Sequence, residues 1–144
     1  MAKINLAITG CLGRMGRQLI KTAVKDRSVK IVSLTENTFL NKKISGIYLE
    51  KNSEKAFRNA HVIIDFTSPK CTFEVLKIAS KLKKKVVIGT TGFSKTEENH
   101  IKKFSKKISI LKAGNMSLGI NLLMFLTEIT SKTLGVNYLS KVFE

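Results

Sequence analysis

Short apolar runs alternate along this chain with longer stretches in which apolar residues recur every three or four positions. Lys3–Thr9 (KINLAIT), Val29–Thr35 (VKIVSLT), His61–Phe66 (HVIIDF), Lys85–Gly89 (KVVIG) and Ile108–Ala113 (ISILKA) read as strands. The third of these is too uniformly apolar to have one wet face. Between them, Arg14–Lys25 carries Met15, Leu19, Ile20 and Ala23 at helical spacing. Pro69 follows Ser68 at a natural first helical position and opens a helix predicted to run to about Leu82. Lys95–Lys106 reads as a helix, Ser53–Arg58 as a short one opened by a serine cap, and 37–51 as a loop. Strands that alternate with helices imply a parallel sheet covered on both faces, so the expected fold is a doubly wound α/β sheet of Rossmann type.

In such sheets ligands sit beyond the carboxyl ends of the strands, where the strand order reverses. The first strand ends in a glycine, and two more follow at three-residue spacing, Gly10, Gly13 and Gly16. Glycine suits a turn that needs positive φ and a backbone that must lie against a ligand. The helix starting near Arg14 points unpaired N–H groups at the space above that turn, which suits a dinucleotide pyrophosphate, and Arg14 adds a charge. The spacing is GxxGxxG rather than GxGxxG, and glycines serving only close strand–helix packing remain the alternative at this point. Glu36 follows the second strand, 20 residues beyond Gly16, where a carboxylate can accept hydrogen bonds from an adenosine ribose. The remaining strand ends carry Asp65–Thr67, Gly89–Thr91 and Ala113–Met116. Each has a plain reading as a cap, a turn or a loop. Five clusters at one end of one sheet make a binding crevice the better explanation.

Composition narrows the class. The 144 residues are 43% hydrophobic, enough for a folded domain with a real core. The formal net charge is +16, with lysines scattered singly and in short groups such as Lys83–Lys85 and Lys106–Lys107. No single basic arm and no nucleic-acid reading motif accompany them, so a solvated basic surface is preferred to a nucleic-acid site. Cys11 and Cys71 fall in no CxxC or Cys/His pattern, which argues against a disulfide framework or a metal site and suits a reducing cytoplasm. The N-terminus shows no signal-peptide pattern, and the apolar stretch near the C-terminus is too short and too interrupted for a membrane span.

The segments GCLGRMGRQL, IIDFTSP, VIGTTGF and AGNMSLGIN, in this order and spacing, resemble the 4-hydroxy-tetrahydrodipicolinate reductase (dihydrodipicolinate reductase) family over essentially the whole chain. The resemblance implies hydride transfer from NADH or NADPH to an unsaturated cyclic dicarboxylate in lysine and diaminopimelate biosynthesis. It implies that Gly10, Cys11, Leu12, Gly13, Arg14 and Met15 meet the pyrophosphate and Glu36 the ribose. It puts Gly89, Thr90 and Thr91 beside the nicotinamide half together with Ala113, Gly114, Asn115 and Met116, and sets Phe66 and Thr67 near the same cofactor. Members that use the 2′-phosphate often carry arginine after the ribose acid; this chain has Asn37. That tilts the expectation toward NADH, with Lys42 and Lys43 as nearby cations able to compensate.

The family continues into a mixed α/β domain that binds substrate, builds a homo-tetramer and carries a His-His pair, a following lysine and a PSGT segment. None of these motifs occurs here, and His61 and His100 fall at a strand start and on a helix, so no catalytic residue is expected in this chain. The expected organisation is a dinucleotide-binding domain over 1–116, followed over 117–144 by a connecting helix and the first strand of an incomplete second domain. The helix, Ser117–Gly135, is apolar around most of its circumference and expects cover on several sides. VNYLSKVFE reads as a strand whose partners are absent. Alone, the chain is expected to hold cofactor, turn over little and self-associate. The alternative is a dinucleotide-binding remnant or regulatory module without turnover.

Overall fold

The computed structural model describes residues 2–38, 42–139 and 141. The chain divides into two compact units, residues 1–114 and 115–144. In the first unit, β1 (Ile4–Thr9) leads through the glycine turn into α1 (Arg14–Lys25) and β2 (Val29–Thr35). A hairpin of β3 (Lys43–Ile44) and β4 (Ile47–Glu50) precedes the short α2 (Glu54–Phe57). Then come β5 (Val62–Asp65), α3 (Pro69–Leu82), β6 (Lys85–Ile88), α4 (Lys95–Ser105) and β7 (Ile110–Lys112). The seven strands are ordered β3-β4-β2-β1-β5-β6-β7, and every neighbouring pair is parallel except the β3–β4 hairpin. From β1 the chain builds outward through β2 and β4, then crosses back to build β5, β6 and β7 on the other side. The reversal therefore lies between β1 and β5, which is where a doubly wound sheet opens a crevice.

The alternation along β1 splits the core in two. Ala7 joins Phe57, Ile63, Val75, Leu76, Val86 and Ile88 on the face covered by α2, α3 and α4. Ile8 joins Cys11, Ile20, Leu34 and Leu49 on the face covered by α1. Both sets are nearly or wholly buried. At roughly 1.5–3 kcal/mol for each large side chain removed from water, these two layers dominate the stability of the unit. Helix starts follow the serines: Ser53, Ser68 and Ser94 each accept a backbone N–H three residues on, and Ser94 with Glu97 completes a capping box.

Two expectations need correction. Residues 37–51 are not simply a loop, because Leu49 and Glu50 pair in parallel with Leu34 and Thr35, and Leu49 is buried. The turn that makes this possible is Ser45–Gly46, both at positive φ (49° and 83°), the backbone twist that a two-residue hairpin prefers. The second correction concerns the tail. Its described residues form no strand: Gly135–Asn137 is a 3₁₀ turn, and Tyr138, Leu139 and Lys141 are irregular. A strand without a neighbour has no ladder of hydrogen bonds to hold it. Ser140 and residues 142–144 of that expected strand lie outside the described residues. In the second unit, α5 (Leu118–Leu134) is capped by Ser117 and buries none of its residues.

Candidate functional site

The crevice begins at Gly10, whose φ of +64° turns the chain away from β1. A Cβ on Gly10 would stand 2.7 Å from Thr67 Cγ2, and one on Gly16 would stand 2.2 Å from the Gly10 carbonyl oxygen. Two of the three glycines are thus required by close approach. Gly13 is different: it is the N-cap of α1 and supplies no side-chain cap. The first N–H groups of that helix, from Arg14 onward, have no intrahelical acceptor and no acidic residue in the first turn. They remain available to an anion at the positive end of the helix dipole. Arg14 and Met15 are exposed at this end.

The rest of the turn is braced from the neighbouring strand. Cys11 N donates to the Thr35 carbonyl at 3.3 Å, and Leu12 N donates to Glu36 Oε2 at 3.2 Å. The other Glu36 oxygen accepts from Asn37 N at 3.0 Å, so the carboxylate is held at both oxygens with lone pairs to spare. Arg17, which sequence reasoning passed over, donates from Nε to the Leu12 carbonyl at 2.8 Å and closes the turn from the helix side. Burial, and then the Glu36 charge, push the Cys11 thiol up to about 11. Burial is also the main cause that raises Cys71. Neither thiol is a nucleophile near neutral pH.

Beside the turn lies a cleft of about 110 Å³ lined by Gly10, Thr35, Glu36, Asn37, Asn52, Thr67, Ser68 and Cys71. Among the described residues, two buried side-chain oxygens, Thr35 Oγ1 and Asn52 Oδ1, find no hydrogen-bond partner, and both residues border this cleft. Buried polar groups are normally satisfied, so unpaired ones here suit a site that takes a polar ligand. The residues present therefore fit a dinucleotide: free helix N–H groups, a cradle that a Cβ would fill, and a fixed carboxylate. Asn52 and Cys71 were not expected in the crevice, because only the β4 pairing and the start of α3 bring them beside Glu36.

Next to the cleft, β5 ends in Asp65, which is wholly buried. Thr9 Oγ1 (2.6 Å) and Thr67 Oγ1 (2.7 Å) donate to its Oδ1, while Thr72 Oγ1 and Thr90 Oγ1 (3.1 Å) donate to its Oδ2. Thr90 also accepts from Thr67 N at 2.8 Å and is itself buried. Its hydroxyl is thus committed inside the protein. Asp65 does not cap α3; Ser68 does. Phe66 lays its ring over Gly89, where a Cβ would come within 2.0 Å of it. Thr91 is exposed beyond β6, and Ala113 follows β7, its N–H on the Ile88 carbonyl. Gly114 closes the first unit, whereas Asn115 and Met116 open the second. Of the cations near Glu36 in sequence, Lys43 holds its ammonium 5.0 Å over the Tyr48 ring.

The two histidines stand apart from this site. His61 Nδ1 accepts from Asn5 N at 3.0 Å and ties the starts of β1 and β5 together, at the opposite end of the sheet. His100 packs edge-on against Phe73. Among the described residues, no three metal-ligating side chains gather, and no helix is long and apolar enough to cross a membrane.

Known proteins with this pattern are consistent with one another. The family described as "Dihydrodipicolinate reductase, N-terminus" matches residues 4–116. The 4-hydroxy-tetrahydrodipicolinate reductase of Pelagibacter ubique (strain HTCC1062) is 67% identical over 144 residues, covering 100% of this chain and 56% of that protein. The protein of the same name from Buchnera aphidicola subsp. Acyrthosiphon pisum (strain Tuc7) is 39% identical over 144 residues, covering 92% of this chain and 54% of its own length. The chain thus spans about half the length of the curated relatives it matches. Among solved structures, a dipicolinate-bound dihydrodipicolinate reductase from Paenisporosarcina sp. TG-14 superposes with a TM-score of 0.76 at 21% identity, over 90% of this chain and 54% of that one. A homoserine dehydrogenase of S. aureus gives 0.65 at 17%, over 77% and 32%. At these identities the likeness is one of fold.

Proposed function

The chain belongs to the dihydrodipicolinate reductase family, and from that premise we propose that it holds the nicotinamide cofactor of a 4-hydroxy-tetrahydrodipicolinate reductase. The observation that carries this is the glycine turn at the β1–β5 reversal, braced by Glu36 on the Leu12 N–H and topped by an uncapped helix start. In this reading the N–H groups of Arg14 and Met15 face the pyrophosphate, with the Arg14 side chain beside it. Glu36 takes the adenosine ribose, and the cleft between Asn37, Asn52 and Cys71 borders the adenosine half. Gly89 and Thr91, with Phe66 and Ala113, border the nicotinamide half; Thr90 supports them from beneath. Asn115 and Met116 belong to the same expected set.

When bound, the dinucleotide supplies the hydride that reduces the substrate. The chain's own contribution is orientation and electrostatics: donors fixed on the phosphates, an acceptor fixed on the ribose and a rigid floor under the ring. The dicarboxylate substrate, its proton donor and a tetrameric assembly are ascribed to the longer family architecture. The 144-residue chain alone is expected to bind cofactor with little turnover. A cytoplasmic setting suits a pathway fed by NADH or NADPH.

Glu36 also orders the two cofactors. A carboxylate held at the ribose repels a 2′-phosphate, and Lys43 is occupied with Tyr48, so NADH is preferred. Titration of the chain with NADH and NADPH, followed by nicotinamide fluorescence, tests both statements. Saturable binding with NADH tighter by about tenfold is expected from one unfavourable charge pair. An absence of binding to either overturns the function, and tighter NADPH binding overturns only the preference.

A further inference from the structure

Asp65 lies beneath the crevice rather than on its rim. Four hydroxyls converge on its carboxylate from four segments: Thr9 at the end of β1, Thr67 before α3, Thr72 inside α3 and Thr90 after β6. The residue is 0% exposed, and no ion pair among the described residues involves it. Burying a carboxylate is costly unless its oxygens are hydrogen-bonded, and four charge-assisted bonds meet that need. Hydroxyls satisfy a charge without cancelling it. The first turn of α3 offsets part of it through its dipole, leaving a net negative centre in a weakly screening interior. Thr9, Thr67 and Thr72 each stand closer to Asp65 than to the carbonyl also within reach of the same hydroxyl, Ile64 O (3.3 Å) for Thr9 and Ser68 O (3.5 and 3.1 Å) for Thr67 and Thr72.

We propose that Asp65 is a positioning residue that fixes the crevice floor and sets a negative charge beneath the nicotinamide half of the dinucleotide, favouring the oxidised, cationic ring over the neutral reduced one. This rests on the reading that the nicotinamide half lies over Gly89–Thr91, the segment tied to Asp65 through Thr90. The two redox forms share their phosphates and adenosine, so repulsion between Asp65 and the phosphates is common to both. Only the ring charge differs. The ratio of the dissociation constants for NAD⁺ and NADH therefore isolates the effect, whereas a purely structural role weakens both forms by one factor.

The test measures NADH by its fluorescence and NAD⁺ by competition, in the 144-residue chain at constant neutral pH. Asp65→Asn keeps the shape and removes the charge, and is expected to raise the NAD⁺/NADH dissociation ratio about tenfold. Thr9→Val removes one hydroxyl dipole and leaves the charge less screened. It is expected to lower the ratio by about threefold without touching the crevice surface. An Asp65→Asn ratio equal to the parent's, with both constants shifted together, overturns the proposal. Should that variant not fold, an unmoved ratio in Thr9→Val overturns it instead. A parent chain that binds neither form would fail earlier and differently, by removing the dinucleotide reading itself.

Discussion

The two units of this chain use apolar residues in opposite ways. In residues 1–114, α1 and α4 are polar helices with only a stripe of apolar residues, and each nevertheless buries side chains, Ile20 on α1 and Ile101 on α4. In residues 115–144, α5 is the most apolar helix of the chain and buries none: Leu122, Leu123, Phe125 and Leu126 are each at least half exposed. A helix forms where propensity and caps allow it, and Ser117 with a run of Leu, Ile and Met is sufficient. Burial needs a second surface. The first unit has its own in the sheet, and α5 has an apolar surface open to solvent, of the kind that marks an interaction face.

That contrast can be broken most directly at Phe57. It is the largest fully buried side chain, and Phe57→Ala is expected to cost about 3–5 kcal/mol, read as a lower midpoint in urea denaturation of the first unit. Phe125→Ala in α5, which deletes the same atoms, should leave that midpoint unchanged. An equal effect at both positions would show that α5 is as well packed as the core.

Glycines give a second, smaller test. Gly16→Ala forces a Cβ to 2.2 Å from the Gly10 carbonyl, for an expected loss of about 1–3 kcal/mol. NADH binding should weaken at least about tenfold as the turn shifts. A Cβ on Gly119 in α5 meets nothing closer than 3.8 Å, so Gly119→Ala should be neutral, or stabilise the helix by up to about 1 kcal/mol. Circular dichroism and cofactor titration separate the two.

The Cys11 thiol gives a third. Its pKa in the fold is about 11 against an ordinary 9.0, so above pH 9 the unfolded chain loses this proton first and the native state binds more. Stability attributable to Cys11 is therefore complete below pH 9 and falls as pH rises through about 11, by roughly 2 kcal/mol at the upper end. Cys11→Ala should remove this slope from the pH dependence of unfolding. Lysines titrate in the same range, so the comparison of slopes is the readout.

The smallest stability effect is expected where the sequence is most apolar. Leu122→Gln, Phe125→Gln and Ile129→Gln together should change the unfolding of the first unit by less than about 0.5 kcal/mol. They should nonetheless abolish self-association of the 144-residue chain, seen by light scattering at high concentration. A parent chain that is already monomeric there would remove the premise.

Much of the first unit was legible from the sequence because its signals are local. Apolar runs marked five strands, and Ser68 with Pro69 marked the start of α3. The Gly10–Gly13–Gly16 spacing with Glu36 marked the crevice. The β3–β4 hairpin escaped because its two strands are only two and four residues long, with Ser45–Gly46 as the one turn signal. VNYLSKVFE reads as a strand whose partners are absent, and its described residues form none, because strand formation depends on a neighbour that no local pattern supplies.

The sequence by itself determined the order of strands and helices, the caps and the glycine turn, since all of these follow from contacts within a few residues. Only the tertiary structure decided that Thr9, Thr67, Thr72 and Thr90 meet on Asp65, and that Asn52 and Cys71 border the cleft beside Glu36. The physical reason is the strand order. Parallel pairing of β1 with β5, and of β5 with β6, brings together residues up to 81 positions apart, a distance over which periodicity carries no information.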